Sequence, residues 1–314
     1  RPAGRAGNVV RRPAAVRTER RPVGVARAGP ALLALAAVEV AREQAGDRIQ
    51  VRGENLTAEA SSLERNRAHA AERIADPQAA WVLETAGQQW AAEQVKDVRT
   101  ISNGLTIGKE WDLASPDLVT YAVDKGWCKG RDDFHFARCY SDFLYTRFSR
   151  CGECQCRTTD LLAAQKGQIT VETIMRALRD HGPRSDPPWR GLTAFNVCAH
   201  AGFGPIRASQ TTGTMVSHLT PEAQTHYVTG TAAPCTSIFK PVWLDADLPD
   251  TGPAPTGDYD QATLFWRHES LHRATLVDYA ARIARYREER DALEQRFVAG
   301  AAAPQPQSEA ELAA

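Results

Sequence analysis

The chain has 314 residues, 43% of them hydrophobic and 24% charged, and 38 basic residues balance 38 acidic ones to a formal net charge of zero. That length and apolar content suit a globular protein of one large domain or two small ones. No apolar run reaches the ~18 residues that a membrane-spanning helix requires, which excludes an integral helical membrane protein.

The first 73 residues differ from the rest. They hold 14 Arg, no Lys and 8 acidic residues, and all 23 aromatic residues of the chain lie after residue 80. A segment so rich in Arg, Ala, Gly, Pro and Val has little to bury and is expected to be mostly disordered, with fragments of helix at 31–45 and 57–73. Arg20 and Arg21 precede the apolar run ALLALAAVEVA, in the manner of a twin-arginine leader, but the surrounding motif is missing and the run sits too far in. A basic nucleic-acid or membrane arm is the other alternative. The favoured reading is a fragment or a misread gene start, with residues 1–73 foreign to the domain that follows.

From Ala79 to Val95 the pattern predicts a hairpin: Trp81, Leu83 and Thr85 alternate with Val82, Glu84 and Ala86, and Gly87 turns the chain into QQWAAEQV. Val98 to Ile107 reads as a third strand. The region 112–166 is polar and aromatic and reads as helices with loops. Within it Cys151, Cys154 and Cys156 form C-x-x-C-x-C beside Arg147, Arg150 and Arg157; without a second C-x-x-C these read as reduced surface thiols. Val171, Ile174, Met175 and Leu178 make one helical face, capped by Thr170 and stopped by Gly182-Pro183. A Pro-rich loop follows at 183–189. Strands are expected at 196–202, 211–219, 225–231 and 236–244, with linker composition at 249–257. From about 264 to 298 no Gly or Pro interrupts a helical run. Leu276, Tyr279, Ile283, Tyr286, Leu293 and Phe297 fall near a heptad seam broken by Arg290, which offers a homo-oligomer contact or packing on the helix's own domain. This order predicts an α+β protein.

His268-Glu269-Ser270-Leu271-His272 matches H-E-x-x-H, the helical zinc motif of metallopeptidases. The acidic residues Glu288, Glu289 and Glu294 lie too far along the expected helix to supply a third ligand. The seven cysteines form no regular framework, so reduced thiols in a cytoplasmic protein are expected. There is no phosphate-binding Gly loop and no nucleic-acid motif.

Two blocks are the most specific. Trp81 to Gly108 reads WVLETAGQQWAAEQVKDVRTISNGLTIG. Asn196 to Trp243 contains NVCAHAG, TTGTMVSHL and HYVTGTAAPCTSIFKPVW. Together with LFWRHESLHR near the C-terminus they resemble the dipeptidase family that includes the secernins, a branch of the N-terminal-nucleophile cysteine hydrolases. The resemblance covers roughly residues 74–298, leaving 299–314 as a disordered tail. It implies a four-layer αββα sandwich, incomplete at its N-terminus, and hydrolysis of short peptides without metal or organic cofactor. In such enzymes the terminal α-amine, with a pKa of about 8, is base for its own side chain, and the thiolate forms an acyl-enzyme. This chain begins at Arg1, so the nucleophile is expected to be missing from it. By resemblance Asn103 would stabilise the oxyanion, or else simply cap the turn before Gly104. Lys240 would hold a peptide carboxylate beside Ser237, or else be a solvated strand-end lysine. Thr211 and Thr212 would line the same cleft. His200 reads as a hydrogen-bonded core histidine, and Cys198 and Cys235 as buried structural thiols. The alternatives to a dipeptidase are a non-catalytic secernin-like binding protein, a zinc metallopeptidase through His268, Glu269 and His272, and an acyltransferase working through the same acyl-enzyme. The expected partner is a short peptide, with no nucleic acid and no membrane.

Overall fold

The structure is a computed structural model that describes residues 78–142, 151–182, 196–202, 210–221, 223–244, 246, 248 and 250–302, together with the strands at 32–34 and 69–75. The Pro-rich loop 183–189, most of the Arg-rich segment and the tail beyond 302 lie outside the described residues.

The fold is α+β. One antiparallel sheet has the order β2-β3-β4-β5, from β2 (His69–Ala75), β3 (Ala80–Ala86), β4 (Gln89–Gln94) and β5 (Leu113–Ala114). The second has the order β1-β6-β7-β8, from β1 (Leu32–Ala34), β6 (Met215–Leu219), β7 (Gln224–Val228) and β8 (Lys240–Val242). The helices are α1 (Leu118–Asp124), α2 (Phe136–Tyr140), α3 (Cys151–Ala163), α4 (Val171–Leu178), α5 (Leu264–Leu276), α6 (Tyr279–Ile283) and α7 (Arg287–Ala302). No helix among the described residues is long and apolar enough to cross a membrane.

The hairpin forms as its alternation predicts. Ala86 pairs with Gln89 and Gly87 has φ of 65°, as a two-residue turn between twisted strands requires. Its inward face carries Val82 and also Glu84, both fully buried. The Glu84 carboxylate accepts from the Thr106 N–H at 2.8 and 2.7 Å, from the Ile107 N–H at 2.8 Å and from the Thr106 hydroxyl. This explains why Val98–Ile107 is not the third strand expected there. Backbone donors that would enter a ladder are taken by one side chain, and β5 occupies the edge of β4 instead. Within this segment Ser102 and Gly104 form an isolated bridge, and a Cβ on Gly104 would lie 2.5 Å from the Sγ of buried Cys151. Gly104→Ala is therefore expected to lose about 1–3 kcal/mol by overpacking. The double variant Gly104→Ala/Cys151→Ala should recover most of that loss in urea unfolding. An additive double variant would show that the contact is not the cause.

α4 also follows its pattern. Thr170 caps it by accepting from the Thr173 N–H, and Val171, Ile174, Met175 and Leu178 pack with Val216, Tyr227 and Phe239. A second core gathers Val82, Ile107, Leu118, Phe134, Phe136 and Tyr140.

Elsewhere the structure corrects the expectations. Leu32–Ala34 and His69–Ala75 are strands rather than helix fragments. Residues 196–202 form no strand: the Cys198 N–H donates to the Asp180 carbonyl, and Thr211 pairs with Ala199. β7 and β8 are shorter than expected because 229–239 folds into turns, in which the Thr236 and Ser237 N–H groups donate to the Ala233 carbonyl. The C-terminal run is three helices. Asp278 caps α6 by accepting from the Ala281 N–H, which restarts the chain without Gly or Pro. Of the expected seam, Ile283 is buried, Tyr279 packs on Cys198 and Cys235, and the Tyr286 hydroxyl bonds Thr275. α7 buries Arg290 and Glu294 and continues to Ala302, past the expected boundary at 298.

Candidate functional site

The segment Thr229–Lys240, which leads from β7 into β8, carries three of the residues singled out from the sequence: Cys235, Ser237 and Lys240. Lys240 opens β8. Its ammonium donates to the carbonyls of Thr229 at 2.5 Å and Ile238 at 2.9 Å. Burial holds its pKa down to about 8, only partly opposed by the more distant Glu294. Among the described residues no carboxylate forms an ion pair with it. Lys240 is thus a strand-end lysine that is partly buried, with its ammonium bonded to two backbone carbonyls. Ser237 is fully buried, with its Oγ 2.9 Å from the Thr231 hydroxyl and 3.0 Å from His268 Nε2. His268 also meets the Thr236 hydroxyl at 3.3 Å, and burial keeps its pKa at about 4, so the imidazole is neutral at pH 7.

The turn carrying these groups is also held from the end of α4 and from α7. Arg179, just past α4, donates to the carbonyls of Pro234 at 2.8 Å and Ser237 at 3.0 Å. The same guanidinium forms two bonds, of 2.7 and 2.6 Å, to Glu294 of α7, whose carboxylate also accepts from the Phe239 N–H at 2.9 Å. Arg290 donates to the Cys235 carbonyl. The cation that breaks the heptad pattern thus has a structural task inside the fold.

Beside the turn, His181, Cys198, His200 and Cys235 are all buried, and their donor atoms lie within 4.8 Å of one another. His200 Nε2 is 3.1 Å from His181 Nε2 and 3.4 Å from each of the two sulfurs. His181 follows α4, Cys198 and His200 come from the 196–202 loop, and Cys235 comes from the turn before β8. On its other side His200 Nδ1 meets His272 Nε2 at 3.0 Å, and His272 Nδ1 donates to Glu269 at 3.1 Å. Glu269 also accepts from Arg273 at 2.7 Å and from Gln210 at 3.1 Å, and these partners hold its carboxyl down to about 2 against the effect of burial.

The H-E-x-x-H residues do lie on a helix, α5, but they serve separate neighbours. His268 faces Ser237 and Thr236, while His272 faces His200. Glu269 is consumed by His272, Arg273 and Gln210. Thr211 uses its hydroxyl to accept from the Ala199 N–H at 3.1 Å, between Cys198 and His200, and neighbouring Thr212 is half-buried. Asn103 is exposed in the loop that Glu84 anchors, and no hydrogen bond joins it to Lys240 or Ser237 among the described residues. Surface hollows lie elsewhere, one along α7 at Glu289, Leu293 and Arg296 and one at Asp250, Thr251 and Arg267. The C-x-x-C-x-C thiols of α3 point in different directions, with Cys151 buried and Cys156 exposed.

The convergence of His181 with Cys198, His200 and Cys235 was missed in the sequence. The only local signal was the C-x-H spacing of Cys198 and His200. No family model matches the chain, and no solved structure matches it.

Proposed function

We propose that this chain belongs to a dipeptidase of the secernin type, an amide hydrolase of the αββα sandwich class, in which Lys240 binds the carboxylate of a short peptide. The observation that carries this reading is the partly buried Lys240 ammonium, bonded to two carbonyls but paired with no carboxylate among the described residues. A desolvated cation without a counter-ion is costly, and a ligand carboxylate offsets that cost while gaining a charge-assisted hydrogen bond. Ser237, three positions earlier, is held by Thr231 and by neutral His268, which keeps the polar wall beside Lys240 rigid. The two antiparallel sheets are compatible with the sandwich. Asn103 remains the candidate for the oxyanion, and the nucleophile would be a Cys, Ser or Thr at a mature N-terminus. The H-E-x-x-H metallopeptidase reading is not favoured, because the two imidazoles are committed to different neighbours.

The test compares binding of an unblocked dipeptide and its C-terminal amide by calorimetry. The amide should bind at least about tenfold more weakly, and Lys240→Met should erase the difference. Equal binding of the two peptides by the unaltered protein would remove the basis for the reading.

A further inference from the structure

We infer that His181, Cys198, His200 and Cys235 are the four ligands of a structural Zn²⁺ ion. This does not rest on the hydrolase reading.

The three distances from His200 Nε2 to the other donors are close to the edges of a tetrahedral site, and all four donors lie within 4.8 Å of one another. With Zn–N of about 2.05 Å and Zn–S of about 2.3 Å, tetrahedral edges come to about 3.3 Å between two nitrogens and about 3.5 Å between nitrogen and sulfur. The nitrogens of His181 and His200 are 3.1 Å apart, and both sulfurs stand 3.4 Å from His200 Nε2. Two histidines and two thiolates form a borderline-soft donor set that suits zinc better than calcium or magnesium.

The hydrogen-bond chain behind His200 prepares it as a ligand. A carboxylate only accepts, so His272 Nδ1–H donates to Glu269. With Nδ1 of His272 committed to that bond, its Nε2 is placed to accept from His200 Nδ1–H across 3.0 Å. The remaining His200 nitrogen, Nε2, then carries a lone pair, and it is the atom aimed at the other three donors. A carboxylate chain that fixes the tautomer of a ligating histidine is a recurrent outer-shell arrangement.

Charge and burial agree. Two thiolates neutralise a divalent cation, so the centre carries no net charge where Cys198 is 0% and His200 1% exposed. Four protein ligands in a closed site leave no open position, which makes the ion structural. A Cys198–Cys235 disulfide would not account for two imidazoles converging on the same point. The ion would tie the end of α4, the 196–202 loop and the turn before β8 into one unit, with α5 joined through His272.

The test is metal analysis of protein purified under reducing conditions, without chelator, from zinc-supplemented culture. About one zinc per chain is expected, falling at least about tenfold in Cys235→Ser and His181→Ala. Because those variants can fail to fold, protein grown in cobalt-supplemented, zinc-depleted medium gives a second reading. It should show tetrahedral cobalt bands with thiolate charge transfer, and His200→Cys should keep the metal and strengthen the charge-transfer band. Substoichiometric zinc together with no cobalt–thiolate band would overturn the inference. So would one zinc per chain retained in a folded Cys198→Ser/Cys235→Ser variant, since the ion would then sit elsewhere.

Discussion

Glu84→Ala should destabilise the chain by about 3–5 kcal/mol in urea unfolding, because it strands two backbone N–H groups and a hydroxyl in the core. The carboxylate is the acceptor for Thr106 and Ile107, and Ile107 is itself fully buried in the cluster with Phe134 and Phe136. Arg99 adds a further bond to the Thr106 hydroxyl at 2.8 Å, so the loss should spread through 99–107. Glu84→Gln keeps one acceptor oxygen but turns an amide N–H toward the same donors, and it should recover less than half of the loss. The loop carrying Asn103 should exchange its amide protons faster in both variants. A cost below about 1 kcal/mol for alanine would mean that other acceptors or water satisfy these groups.

Breaking the Arg179–Glu294 pair should cost a similar amount. The side chains are 13% and 9% exposed, and both are bonded to backbone as well as to each other. Glu294→Ala leaves a guanidinium under the Cys235 turn with half its partners gone, and Arg179→Met leaves a buried carboxylate. Each single change is expected to cost about 3–5 kcal/mol, as for other buried pairs that lose one member. The double change Arg179→Met/Glu294→Leu should cost clearly less than the sum, since no charge remains unpaired. Strict additivity in a double-mutant cycle would show that the pair is not coupled.

Legibility in the sequence followed the range of the forces involved. The β3–β4 hairpin and α4 were readable because period-2 alternation, the period-3.6 apolar face, Gly87 and Thr170 all act within a few residues. The segment 98–107 has strand-like residues, but its donors are claimed by Glu84, a partner more than twenty positions away that no local pattern reveals. The C-terminal helix looked continuous because neither Gly nor Pro breaks it; Asp278 was the available signal, a capping residue inside an apolar stretch. Lys240 and Ser237 were singled out through resemblance, and the structure adds that the lysine is partly buried and bonded to two carbonyls. The His–Cys cluster was illegible because its ligands come from three segments, and Cys198 and Cys235 looked like ordinary strand thiols. His272, found for a zinc motif of its own, supports that cluster from behind.

Lys240 also links pH to both stability and binding, with opposite signs. The unfolded chain keeps this proton up to about 10.5 and the folded chain releases it near 8, so stability from this group rises as pH climbs through that window. Binding of a carboxylate needs the protonated form and should weaken over the same window. The most direct measurement is therefore dipeptide affinity from pH 6 to pH 10. The profile should be flat up to about pH 8 and fall by up to about tenfold per pH unit above it, with both the affinity and its pH dependence lost in Lys240→Met. An affinity that stays constant through pH 10 in the unaltered protein would contradict the assignment of Lys240 as the carboxylate anchor.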